Sequence, residues 1–154
     1  MKDDHHFIIG IVLLLLGGGG VAVYSMTRGL RNNNPGNIRL DGTQWQGMKP
    51  VQTDGDFVQF ISPEYGLRAL THVLRSYKQR GINTVAAIFN RYAPPSENDT
   101  RAYVQDVADA LGVDANAVID IDNYLPQLLA AITEHENGLN PYASTTINAG
   151  IALA

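Results

Sequence analysis

Residues 7–26 read FIIGIVLLLLGGGGVAVYSM, twenty positions without one charged side chain. A helix of that length spans roughly 30 Å, the hydrocarbon thickness of a bilayer. Gly17 to Gly20 would weaken a helix in water, but membrane helices tolerate small residues, which let neighbours pack closely. A cleaved signal peptide and a buried core helix are the rivals. Signal peptides open on basic residues, whereas this chain opens Met1-Lys2-Asp3-Asp4-His5-His6. Core helices are rarely so long and so apolar. The segment therefore predicts a single transmembrane helix over 7–26, after a short polar N-terminus at 1–6 and before one domain at 27–154. Arg28 and Arg31 follow the span, while Asp3 and Asp4 precede it. The positive-inside rule then favours a cytoplasmic domain.

The remaining residues can bury a sizeable core. The chain has no cysteine, which excludes disulfides, thiolate zinc sites and a cysteine nucleophile. The histidines at 5, 6, 72 and 135 lack metal-ligand spacing. Net charge is −4, unevenly distributed. Residues 28–101 hold ten Lys/Arg against six Asp/Glu, and residues 102–154 hold seven acids and no Lys or Arg. Either the halves neutralise each other in one domain, or a basic lobe meets an anionic polymer. The basic residues are not interleaved with aromatics, which argues against nucleic acid.

Residues 28–56 are rich in Asn, Gly, Gln and Asp and read as loop and turn, with a short strand at 57–60. Beyond them the pattern is helical. Ser62-Pro63-Glu64 starts a helix as N-cap, first-position proline and first-turn carboxylate. Leu67, Leu70, Leu74 and Tyr77 form its inner face, and Gly81 stops it. Thr84 caps a second helix that Pro94-Pro95 ends. Thr100 caps a third that Gly112 ends. A fourth runs over about 123–137 before Gly138, and a short fifth covers 144–153. The expected fold is mostly α, a compact helical domain with a loop-rich N-terminal third.

The fourth helix carries the sharpest chemical feature. At about 100° per residue, Leu125, Leu128, Leu129, Ile132 and Glu136 share one stripe, and Glu134 falls opposite. Glu136 thus continues an apolar face in the last turn, where the negative dipole end disfavours a carboxylate. Both effects favour the protonated form, which a general acid requires. The plain alternative is that the helix ends there and Glu136 meets water or an arginine. Glu64 is the second candidate, although a first-turn acid is ordinarily a dipole partner. Asp54 and Asp56 flank a glycine as turn formers. Glu97 precedes a helix, so capping is its default. The amides of residues 31–39, RNNNPGNIR, either bind sugar hydroxyls or build tight turns. Trp45 and the tyrosines at 65, 92, 103 and 142 either stack on sugars or fill the core.

These segments resemble a family. Residues 31–39, Trp45-Gln46-Gly47, residues 57–60 (FVQF), 62–69 (SPEYGLRA), 91–94 (RYAP) and 97–100 (ENDT) are similar to small phage and prophage virion-associated proteins of the lysozyme-like superfamily. The likeness covers essentially residues 28–153, and RNNNPGNIR is its most specific part. Lysozyme-like transglycosylases and glucosaminidases carry a Glu-x-Gly pattern at a helix end and, further on, an Asn-Asn-x-x-Gly-Ile-Lys-like segment. Glu136-Asn137-Gly138 is similar to the first. Residues 33–39 are similar to the second, with Asn37 where glycine is usual. Their order is reversed here, as in a circularly permuted lysozyme-like core, which the closeness of chain ends makes tolerable. A Gly-Leu-Met-Gln-type segment is missing.

The resemblance implies cleavage of the β-1,4 bond between N-acetylmuramic acid and N-acetylglucosamine, with Glu136 as acid. A lone glutamate implies a lytic transglycosylase. A hydrolase needs a second carboxylate, at about 5 Å if retaining or about 6.5–9.5 Å if inverting, which Glu64 or Asp56 would supply. Asn33, Asn34, Asn37, Tyr92, Tyr103 and Tyr142 are the expected substrate-binding residues. No metal or organic cofactor is implied. The expected partners are peptidoglycan glycan strands, the lipid bilayer through 7–26 and other virion membrane proteins. The expected location is a single-pass span in a virion membrane or the host inner membrane, with the domain facing the wall. Two rivals remain: a non-catalytic virion or glycan-binding protein of the same fold, and a host inner-membrane protein with a cytoplasmic domain.

Overall fold

The computed structural model describes residues 26–92 and 100–154. Its helices are α1 (Arg28–Arg31), α2 (Pro63–Gln79), α3 (Val85–Tyr92), α4 (Thr100–Leu111), α5 (Leu125–Asn137) and α6 (Ser144–Ala152), with a 3-10 turn at Ile121–Tyr124 leading into α5. The mostly helical expectation holds. The transmembrane part is corrected. Among the described residues no helix is long and apolar enough to cross a membrane. The span expected at 7–26 lies, apart from Met26, outside the described residues, so the structure gives a single-pass fold and a single-pass location no support. Arg28, one of the two arginines from which the orientation was read, has partners inside the domain. That guanidinium binds Asp54 and Asp56 at 2.6 and 2.8 Å, so its place in the sequence is explained by the domain itself.

Helix boundaries follow local chemistry. In α2, Pro63 occupies the first position and Glu64 the first turn, where a fixed φ and a carboxylate both suit the helix start. Ser62 makes no capping bond to the helix backbone, contrary to expectation. Leu67, Leu70 and Leu74 are fully buried on one face. Truncating any of them to alanine would cost about 2–5 kcal/mol. Thr84 Oγ caps α3 by accepting from the Ala87 amide at 3.1 Å. Thr100, expected as a cap, is helical and buried, and the residues before it lie outside the described ones.

The main core joins the inner faces of α2 to α6 with Ile119 and Ile121. The loop-rich third has its own smaller core of Val58, Phe60 and Ala69, bordered by Ile38, Leu40, Trp45, Met48 and Tyr65. The strand expected at 57–60 is reduced to two isolated antiparallel bridges, Arg39 with Phe57 and Met48 with Phe60. Side-chain amides supplement the few backbone bonds of these bridges. Gln52 accepts from the Gln59 amide at 2.7 Å and donates to the Gln59 carbonyl at 2.9 Å. Asn34 donates to the Val58 carbonyl at 2.9 Å. Backbone polar groups must be satisfied somewhere, and here short amide side chains help to do so without a regular sheet.

Candidate active site

The asparagine-rich turn after α1 is built from its own amides. Asn33 and Asn37 adopt left-handed φ of 52° and 47°, which asparagine tolerates better than most residues. Asn33 donates to the Phe60 carbonyl at 3.0 Å. Asn34 is fully buried; it donates to the Ile38 carbonyl and accepts from the Ile38 amide, both at 2.9 Å. The turn presses on its neighbours so closely that two glycines are required. A Cβ on Gly66 of α2 would lie 2.0 Å from the Asn33 carbonyl oxygen. One on Gly29 would lie 2.5 Å from Asn137 Oδ1 and 2.6 Å from Asn37 Oδ1.

That approach brings the turn against the end of α5. The leucine and isoleucine stripe is buried as expected, Glu134 is exposed, and Glu136 is half-buried. Gly138 then terminates the helix at φ 74°, its amide donating to the Glu134 carbonyl at 2.7 Å. Asn37 Nδ2 donates to Glu136 Oε2 at 2.7 Å, across 99 residues of sequence. Next to it, buried Asn137 donates to the carbonyls of Pro35 at 2.8 Å and Thr133 at 2.9 Å, and accepts from the Thr27 hydroxyl at 2.6 Å. Asn137 was not singled out from the sequence. The available signal was a polar residue beside a helix-stopping glycine, which reads equally well as an exposed helix end.

Two tyrosines complete this surround. Tyr92 donates its phenolic proton to the Gly36 carbonyl, and Tyr103 donates to the Ala131 carbonyl. Burial raises the pKa of both. Negative charge raises them further, from Glu136 at Tyr92 and from Glu134 and Glu136 at Tyr103. Both phenols therefore stay protonated at neutral pH. The Tyr103 ring lies 4.3 Å from that of His135 and meets Phe89 edge-on at 5.0 Å. A groove of about 450 Å³ opens between α4 and α5, lined in part by Tyr103, Asp106, Gln127, Glu134 and His135. Glu136 lies outside that lining but follows it directly in the chain.

The other candidates sit elsewhere. Glu64 is half-buried at the opposite kind of helix end. Hydrogen bonds from the Ser62 side chain and from its own backbone amide hold its carboxyl below the usual range. It is thus a carboxylate at neutral pH, suited to a base or nucleophile rather than to an acid. Tyr142 belongs to its surroundings, since burial and then the Glu64 charge push the phenol up to about 12. Asp54 is held well below the ordinary carboxylate range, first by Arg28 and then by the Asn32 amide, which marks it as structural. Glu97 lies outside the described residues. Among the described residues no three His, Asp or Glu side chains are grouped to hold a metal ion.

Of the expected substrate-binding residues, Asn37 bonds Glu136, whereas the phenols of Tyr92 and Tyr103 bond the Gly36 and Ala131 carbonyls. Asn33 and Asn34 face the loop core, and Tyr142 joins Glu64. No family model matches the chain. A curated relative, Protein P5 of Pseudoalteromonas phage PM2, is 35% identical over 154 residues, covering 97% of this chain and 96% of its own.

Proposed function

The chain belongs to the family of Protein P5 of Pseudoalteromonas phage PM2, and we propose that it is a phage virion-associated enzyme that cleaves peptidoglycan glycan strands. The observation that carries this is the Asn37–Glu136 hydrogen bond. It joins the two segments whose resemblance to lysozyme-like enzymes is split by reversed chain order. A permuted enzyme core would need such a contact, and this supports the reading.

Glu136 is the acid. Asn37 holds one carboxyl oxygen, and the proton is carried on the other. That proton passes to the glycosidic oxygen as the bond to the anomeric carbon breaks. The resulting carboxylate then takes the proton of the muramoyl 6-hydroxyl as that oxygen attacks the anomeric carbon. This closes a 1,6-anhydro ring and restores the protonated acid. The protonated phenols of Tyr92 and Tyr103 add no competing negative charge. A hydrolase is the second mechanism, with water in place of the 6-hydroxyl.

A peptidoglycan zymogram tests the assignment. Clearing is expected from the wild-type chain and not from Glu136→Gln. Equal clearing by the variant removes Glu136 from the reaction, and no clearing by wild type leaves a non-catalytic phage protein. Mass spectrometry of released fragments separates 1,6-anhydro ends from reducing ends.

A further inference from the structure

Two arginines share one aromatic ring and differ in what else they touch. The guanidinium carbons of Arg28 and Arg39 both lie 4.7 Å from the centre of the Phe57 ring. Arg28 is engaged by carboxylates. Its Nε and Nη2 donate to Asp54 at 2.7 and 2.6 Å, and Nη2 also donates to Asp56 at 2.8 Å. The remaining capacity of Asp54 goes to the Asn32 amide and to the backbone amides of Asp56 and Phe57. Arg39 is exposed, and its side chain makes no hydrogen bond or ion pair among the described residues. It is nonetheless held in place. Its backbone pairs with Phe57, the next amide donates to the Asp56 carbonyl at 2.8 Å, and its cation rests on the ring, an arrangement that fixes a guanidinium without using its N–H donors.

Arg39 stands two residues from Asn37, the partner of Glu136. Two extended residues cover about 7 Å, and an arginine side chain adds its own reach. A planar, pre-oriented guanidinium with unused donors matches a carboxylate in a bidentate fork. Of the two sugars in peptidoglycan, only the muramoyl unit bears carboxylates, on its peptide substituent. We infer that Arg39 binds a carboxylate of the stem peptide and so makes the enzyme prefer peptide-bearing glycan over bare glycan. Arg39 is a specificity residue and takes no part in proton transfer. This rests on the glycan-cleaving function proposed above.

The test measures binding of the full chain in a Glu136→Gln background, which prevents turnover. Two fluorescent glycans serve as probes: one with its stem peptides, and the same glycan stripped of them by an amidase and with the lactyl carboxylates so freed capped as methylamides. The background protein is expected to bind the peptide-bearing probe more tightly. Adding Arg39→Gln should weaken that binding about tenfold, or about 1.4 kcal/mol, and leave the bare probe unaffected. Arg39→Lys, which keeps charge but loses the fork, should fall between. Unaltered thermal melting would show that the variants are folded. Equal weakening on both probes, or none on either, overturns the assignment while the glycan function stands. Failure of the background protein to bind either probe removes both.

Discussion

Glu64 and Glu136 are the same side chain at opposite ends of two helices, and the ends decide their chemistry. Glu64 lies in the first turn of α2, where unpaired backbone amides and the positive dipole end favour the anion. Its carboxyl is held below the usual range accordingly. Glu136 lies in the last turn of α5, where carbonyls face outward and the dipole disfavours negative charge. It is met there by a neutral amide donor, Asn37, at 2.7 Å. A carboxylate that is comfortable when ionised makes a poor acid. One at the carbonyl end, where the dipole opposes the anion, makes a better one, and the Asn37 N–H, which favours the anion, works against that.

The strongest way to break that contrast is to remove each carboxyl in turn. Glu136→Gln is expected to lower turnover of peptidoglycan at least about 100-fold, the low end for loss of a positioned general acid. Glu64→Gln should lower it less than about tenfold if the enzyme is a transglycosylase. Turbidity clearing of purified cell walls measures both, and a collapse with Glu64→Gln would move the mechanism to a hydrolase.

A second break targets the platform that holds Glu136. Asn137→Leu removes two donors and one acceptor from a buried site, taking partners from the Pro35 carbonyl and from the Thr27 hydroxyl proton. A loss of about 1–3 kcal/mol of stability is expected, read from denaturant melts. The control is Glu134→Gln, at an exposed position of the same helix. It should leave stability within about 0.5 kcal/mol.

A sharper probe is Asn37→Gly, which keeps the left-handed backbone and deletes the amide. Activity should fall about tenfold with little change in melting temperature, and the alkaline limb of the pH–rate profile, where Glu136 gives up its proton, should move with it. An unchanged rate and profile would show that Asn37 merely packs beside Glu136.

The smallest effect separates structural acid from functional acid. Asp54 has its folded pKa depressed, first by Arg28. Its contribution to stability is therefore complete above the unfolded carboxylate pKa of about 3.9. It is lost as pH falls from there through the lower folded value, because the unfolded chain takes up the proton first. Asp54→Asn should flatten the fall in melting temperature below about pH 4. An unchanged acid dependence would show that the Arg28 pair contributes no stability.

Much of the helical framework was legible because its signals are local. Gly81, Gly112 and Gly138 were expected as stops, and all three have positive φ. The α5 stripe was legible because four apolar residues at helical spacing must face a core. The loop-rich third was less so. Its bridges at Arg39 and Met48 are isolated pairs of backbone bonds braced by amide side chains, and no periodicity records that. Asn33 and Asn34 looked as available to a sugar as Asn37. Only their carbonyl partners, many residues away, show that they hold the turn.

Glu136 was marked by sequence alone, since helix geometry places it on an apolar stripe and before a terminating glycine. What it touches was decided by tertiary structure. Gly29 has no side chain to fend off the oxygens of Asn37 and Asn137, so α1, the asparagine turn and the end of α5 can close together. That closure sets a neutral amide on Glu136 and buries Asn137 beneath it. Contacts across 99 and 102 residues arise from packing, and packing is a property of the whole chain rather than of any stretch of it.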